Sequence, residues 1–160
     1  MATNYQQLAE ELGVIADAAE SAEDLMSIIV GRLQERLPHF NWVGFYMIEK
    51  GRPGEEPMLV LGPYVGAVTP HKRIPLNQGI CGAAVSTGQT VVIDDVNADP
   101  RYLACSIATK SEIVAPVFVK GAAVGELDID SHTPAAFTDA DRKLVEHCAA
   151  LVGSYLEKIS

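Results

Sequence analysis

Apolar residues recur every three or four positions at both ends of the chain and every second position through its middle, which separates helical termini from a β-rich centre. Tyr5, Leu8, Leu12, Ile15 and Ala19 form the stripe of an amphipathic helix over residues 4–19. A second helix is predicted from Ser21, a capping residue with Asp24 three positions on, through Leu25, Ile28, Ile29 and Leu33 to Leu37, where Pro38 stops it. From Trp42 the period becomes two. "NWVGFYMIE" and "MLVLGPYVG" are strands joined across the breaker "RPGEEP", an antiparallel hairpin with a long loop. "GAVTPHKRIPL" carries Pro70 and Pro75 and reads as an edge or irregular strand.

Small apolar residues from Gln78 through Ser86, closed by Gly88, predict a short helix with a glycine C-cap. "TVVIDDV" is a short strand, and the sixteen residues Asp95–Lys110 show little periodicity; a loop that long inside a compact domain usually carries function. "SEIVAPVFVKGAAVGELDID" is a second hairpin about Lys120-Gly121, and Thr138 with Asp141 caps a last helix whose stripe runs from Leu144 to Ile159. The order predicts one α+β domain over residues 1–160, an antiparallel sheet with the N- and C-terminal helices packed on one face.

Composition narrows the function. A charge of -9, from 12 Lys and Arg against 21 Asp and Glu, repels nucleic acid and anionic lipid and favours cationic ligand groups such as an ammonium. No run approaches the ~18 apolar residues of a membrane span, and no secretory leader is evident, so the expected compartment is the cytoplasm. Thiols stay reduced there, and the three cysteines suggest catalysis or redox sensing rather than a disulfide framework.

Cys148 falls on the apolar stripe of the last helix and reads as core. Cys81 lies in the first turn of the short helix in "NQGICGAAV", where helix-terminal N–H groups favour thiolate; its bland reading is a small residue packed between glycines. Cys105 lies in the long loop, where no periodicity requires an apolar residue; its bland reading is a Cys tucked under the loop. Glu126, Asp128 and Asp130 leave one face of a strand, a row that by pattern alone reads as the solvated face of an antiparallel sheet. The hairpin turn could bring Glu112 beside Asp128 and Asp130, and carboxylates crowded together raise one another's pKa and supply a proton donor near neutrality. Trp42 and Tyr46 share a face and offer aromatic walls, or core packing. No metal-ligand spacing such as C-x-x-C and no phosphate loop occurs, so neither a metal nor a cofactor is expected.

From "NWVGFY" through "RIPLNQGICGAAV", "ACSIATKSEIVAPV" and "VGELDIDS" to "FTDADRKLVE", roughly residues 40 to 145, the chain resembles the free methionine-(R)-sulfoxide reductases, which are built on a GAF domain. The specific signals are G-I-C-G, the A-C pair seven residues before the Glu of S-E-I-V, and L-D-I-D-S. The resemblance implies reduction of the free amino acid's R-sulfoxide, with thioredoxin as reductant. It implies that Trp42 and Tyr46 wall the methyl-sulfur end of the substrate, and that Glu112, Asp128 and Asp130 hold the ammonium and protonate the oxygen. Cys105 or Cys81 would attack sulfur, the family pattern favouring Cys105, and the other thiol would close a disulfide. Many family members carry a third cysteine where this chain has His71, and an Asp where it has Ser106. A noncatalytic GAF sensor for an amino-acid-like ligand and a thiol switch without substrate are the rival readings, and a homodimer through the terminal helices is compatible with the domain type.

Overall fold

The computed structural model describes residues 3–102 and 108–160. Two helices, α1 (Tyr5–Ala18) and α2 (Ala22–Arg36), precede the strands β1 (Trp42–Glu49), β2 (Met58–Val65) and β3 (Arg73–Pro75). Helix α3 (Gly79–Thr87), strand β4 (Val91–Ile93), a 3-10 turn at Val96–Ala98, strands β5 (Ser111–Val119) and β6 (Ala122–Ser131), and helix α4 (Asp139–Ile159) complete the order. The sheet runs β3-β2-β1-β6-β5-β4, and every neighbouring pair is antiparallel.

Local signals set the helix boundaries. Ser21 accepts from the Asp24 amide at 3.0 Å, Thr138 and Asp141 form a reciprocal capping box, and Gly88 ends α3 in the left-handed conformation at φ 67°. Asp141 is almost fully buried and also accepts from Tyr5 Oη at 2.6 Å, which ties α4 to α1. Ile159 lies 62% exposed, so the apolar stripe of α4 reaches the core only as far as its penultimate turn.

Alternation along each strand divides the domain into two layers. Val43 and Phe45 of β1, Ile113, Ala115 and Val117 of β5, and Leu127 and Ile129 of β6 join Leu12, Ile29, Leu33, Val145 and Cys148 in a core between the sheet and the terminal helices. The expected one-sided packing of those helices is what forms. Tyr46, Leu59 and Val114 point the opposite way and meet Ile74, Ile80, Cys81 and Ala84, so α3 and the β2–β3 region cover the second face. Among the described residues no helix is long and apolar enough to cross a membrane.

Candidate active site

The carboxylate row lies on that second face, and the strand register arranges it. On β6, Glu126, Asp128 and Asp130 stand opposite Tyr46, Gly44 and Trp42 of β1, and opposite Pro116, Val114 and Glu112 of β5. A fourth carboxyl therefore faces Asp130 directly across the second hairpin. The solvated-face reading of the row fails here: Glu112, Glu126, Asp128 and Asp130 are between 0% and 5% exposed. Alternation reports which face a side chain takes, and only the elements packed on that face decide whether it meets water.

Cys81 reaches the same cluster from α3. Gly79 opens the helix at φ 72°, a conformation that favours glycine. A side chain at Gly82 would place Cβ 2.7 Å from the Leu76 carbonyl oxygen, so a residue without Cβ lets α3 press against the preceding loop. Those two glycines drive the intervening Cys81 into the sheet, where its thiol donates to Asp128 Oδ2 at 3.5 Å. The ligating atoms of Cys81, Glu112 and Asp128 all lie within 4.8 Å of one another.

Burial governs the protonation of the group. It is the largest cause holding Glu112, Glu126 and Asp130 well above the ordinary carboxyl range, with the Asp128 charge next in each case. Asp128 is raised by burial as well, against the opposing pull of hydrogen bonding from Glu112 and Cys81. The Cys81 thiol is itself pushed well above its ordinary value, first by burial and then by Asp128, Glu126 and Glu112. The helix-terminal effect expected to favour a thiolate is thus overcome: a water-excluded sulfur facing several acids keeps its proton. With the thiol turned to Asp128, both oxygens of Glu126 and Oδ1 of Asp128 and of Asp130 find no hydrogen-bond partner among the described residues.

Aromatic rings wall the row on its β1 side. Trp42 stacks on Tyr64 with ring centroids 5.6 Å apart and on Tyr46 at 6.2 Å. Its ring covers Gly44, where an added Cβ would sit 2.4 Å from the indole Cη2, while its Nε1 donates to the Ala67 carbonyl at 3.0 Å. Tyr46 Oη donates to the His71 carbonyl at 2.7 Å. Tyr46, His71, Ile74, Cys81, Glu112 and Asp128 line a small pocket of about 20 Å³. Trp42, Thr69, Thr109, Asp130 and His132 line a second of about 80 Å³. A larger groove of about 500 Å³ between α4 and β5 contains neither a thiol nor any of the buried carboxylates.

Of the residues singled out from sequence, Trp42, Tyr46, Cys81, Glu112, Asp128 and Asp130 converge here; Cys105 and Ser106 lie outside the described residues. Glu126, read from sequence as part of the carboxylate row, joins the site by strand parity with Asp128. Tyr64 is not among the residues singled out from sequence; the β1–β2 register pairs it with Gly44, and its ring stacks on Trp42.

Residues 21–156 match the GAF domain family. A free methionine-R-sulfoxide reductase of Escherichia coli is 41% identical over 127 residues, which are 79% of this chain and 70% of that protein. The chain belongs to the free methionine-R-sulfoxide reductase family. The structure of the Neisseria meningitidis family member in complex with its substrate superposes with a TM-score of 0.87 at 31% identity, covering 98% of this chain and 93% of that one. The fRMsr of Staphylococcus aureus in its reduced form gives 0.86 at 32% identity, covering 96% of each chain.

Proposed function

We propose that the protein reduces free L-methionine-(R)-sulfoxide to methionine through Cys105 and Cys81, with thioredoxin as the external dithiol. The observation that carries this reading is a buried thiol set against Asp128 and three further acid groups, Glu112, Glu126 and Asp130, which burial holds well above the ordinary carboxyl range, under an aromatic wall. Sulfoxide reduction requires a nucleophilic sulfur and a proton for the departing oxygen at one place.

In the proposed cycle the Cys105 thiolate attacks the sulfoxide sulfur while a protonated carboxyl among Glu112, Asp128 and Asp130 gives its proton to the oxygen. The S–O bond breaks, leaving methionine and a sulfenic acid on Cys105. The Cys81 thiol then condenses with that sulfenic acid, forming a disulfide and releasing water, and an external dithiol returns both cysteines to thiols. Burial and acidic neighbours favour the protonated form of Cys81, which supports assigning the attack to Cys105. Closing the bridge requires the two Cα atoms within about 7 Å.

The ammonium of a free amino acid compensates buried carboxylate charge, whereas a peptide-bound residue brings none. Trp42 and Tyr46 offer their rings to the methyl-sulfur end. The test is NADPH oxidation coupled through thioredoxin reductase and thioredoxin, with free L-methionine-(R)-sulfoxide as substrate. Turnover no faster than that of a Cys81→Ser, Cys105→Ser double variant would defeat the proposal.

A further inference from the structure

Cys81, Glu112 and Asp128 come from α3, β5 and β6, three segments whose spacing in sequence bears no relation to any metal-ligand pattern. We propose that in the reduced, substrate-free protein they form a binding site for one borderline-soft divalent cation of the zinc type.

The distances suit that ion. A tetrahedral zinc with Zn–S about 2.3 Å and Zn–O about 2.0 Å sets its sulfur and oxygen ligands about 3.5 Å apart. Cys81 Sγ and Asp128 Oδ2 are separated by 3.5 Å. With Glu112 included, the three donor atoms fall within 4.8 Å of one another, so the third needs a shift of at most about 1.5 Å to close the same face. All three side chains are at most 6% exposed.

A second, independent observation points to a missing positive charge. Among the described residues, both oxygens of fully buried Glu126, Oδ1 of Asp128 and Oδ1 of Asp130 find no hydrogen-bond partner, and buried polar atoms ordinarily have one. Among the described residues no Lys or Arg acts on these carboxyls or on the thiol, and the basic side chains lining the two cavities are the imidazoles of His71 and His132. Asp128 meets the cation through Oδ2, and Glu126 flanks the Cys81 sulfur as an outer acceptor.

The space between these side chains, about 20 Å³, holds one ion or one water. The thiolate ligand selects zinc, cobalt or cadmium over magnesium and calcium. Binding replaces the thiol proton with an S–metal bond and displaces any proton held by the two coordinating carboxyls; these protons pass to solvent, and no oxidation takes place. Because the ion takes up a thiol and two carboxylates, it excludes any ligand that uses them, and at the proposed reductase site it acts as an inhibitor.

The measurement needs no turnover, so its failure is distinct from failure of the reductase reading. Metal-stripped, reduced full-length protein is titrated with Zn²⁺ by calorimetry and with Co²⁺ by absorption spectroscopy. One equivalent of each is expected, with a near-ultraviolet sulfur-to-cobalt band. Cys81→Ser should weaken binding by at least roughly a hundredfold and abolish the band, Glu112→Gln should weaken it about tenfold or more, and Cys105→Ser should leave both unchanged. X-ray absorption on the unmutated zinc protein should show one sulfur and two or more oxygen neighbours, which keeps the test decisive if a variant misfolds. Absence of stoichiometric binding, a sulfur-free zinc shell, or binding that survives Cys81→Ser and is lost in Cys105→Ser would overturn the site.

Discussion

Glu126 allows the electrostatics of the cluster to be read as stability. It is fully buried, its folded pKa lies well above the ordinary 4.5, and burial is the main cause. The folded state therefore holds a proton that the unfolded chain releases above about pH 4.5. Stability from this proton is fully present below the unfolded value and is lost as pH rises through the folded one. Each proton so retained gives a slope of about -1.4 kcal/mol per pH unit, or roughly 4 kcal/mol between pH 5 and 8 if the folded group stays protonated throughout. For a domain of this size 1 kcal/mol corresponds to about 2–4 °C, so one retained proton lowers Tm by about 8–16 °C across that range.

Glu126→Gln removes one such proton and keeps the shape. Its Tm-against-pH curve between 5 and 8, by scanning calorimetry, should be flatter than wild type by up to about 1.4 kcal/mol per unit and should cross above it toward the alkaline end. The opposing group is Asp141, whose carboxyl is held below its ordinary value although burial works against this, because hydrogen bonds from Tyr5, the Thr138 backbone and His39 outweigh it. Its contribution is present above the unfolded value and lost in acid, outside the chosen window. Parallel curves for Glu126→Gln and wild type would refute the reasoning.

Further outcomes follow from other contacts. Asp141→Ala removes the acceptor for Tyr5 Oη, the Thr138 amide and hydroxyl, and His39 Nε2; it should cost about 3–5 kcal/mol in urea unfolding at pH 7, and a loss below 1 kcal/mol would contradict the assigned network. Gly153→Ala would set a Cβ 2.3 Å from the Phe118 carbonyl oxygen, where α4 rests on β5, and should lower stability by about 1–3 kcal/mol by the same measurement. Trp42→Ala removes the ring stacked between Tyr64 and Tyr46 and should raise KM more than it lowers kcat, by roughly tenfold, in the sulfoxide reduction assay. Cys81→Ser should still release about one equivalent of methionine per protein in a rapid-quench experiment and then stop, whereas Cys105→Ser should release none.

Much of this fold was legible because local rules and tertiary structure agree. Ser21, Thr138 with Asp141, and Gly88 end helices where their chemistry predicts, and Pro70 and Pro75 confine β3 to three residues at the sheet edge. The face of each carboxylate was legible as well, since Glu126, Asp128 and Asp130 share strand parity. Their burial was not. A polar row reads identically whether water or another layer covers it, and the covering layer comes from α3, whose small residues give little amphipathic signal. The same omission misled the expectation for Cys81: a helix terminus favours thiolate locally, but the acids that reverse it arrive from β5 and β6. Glu126 is the only member of the row without an aspartate's place in L-D-I-D-S, and its pairing with Tyr46 emerges only from the strand register.

The central claim is that this buried acid cluster serves a thiol that reduces the free amino acid's sulfoxide. Its most direct test is chiral amino-acid analysis of racemic free L-methionine sulfoxide incubated with the protein and excess dithiothreitol, which removes dependence on any particular protein reductant. The account predicts complete conversion of the R epimer to methionine with the S epimer recovered intact, and no conversion of N-acetyl- or peptide-bound methionine-(R)-sulfoxide. Full recovery of both free epimers, or equal turnover of the free and N-acetylated R-sulfoxides, would contradict it.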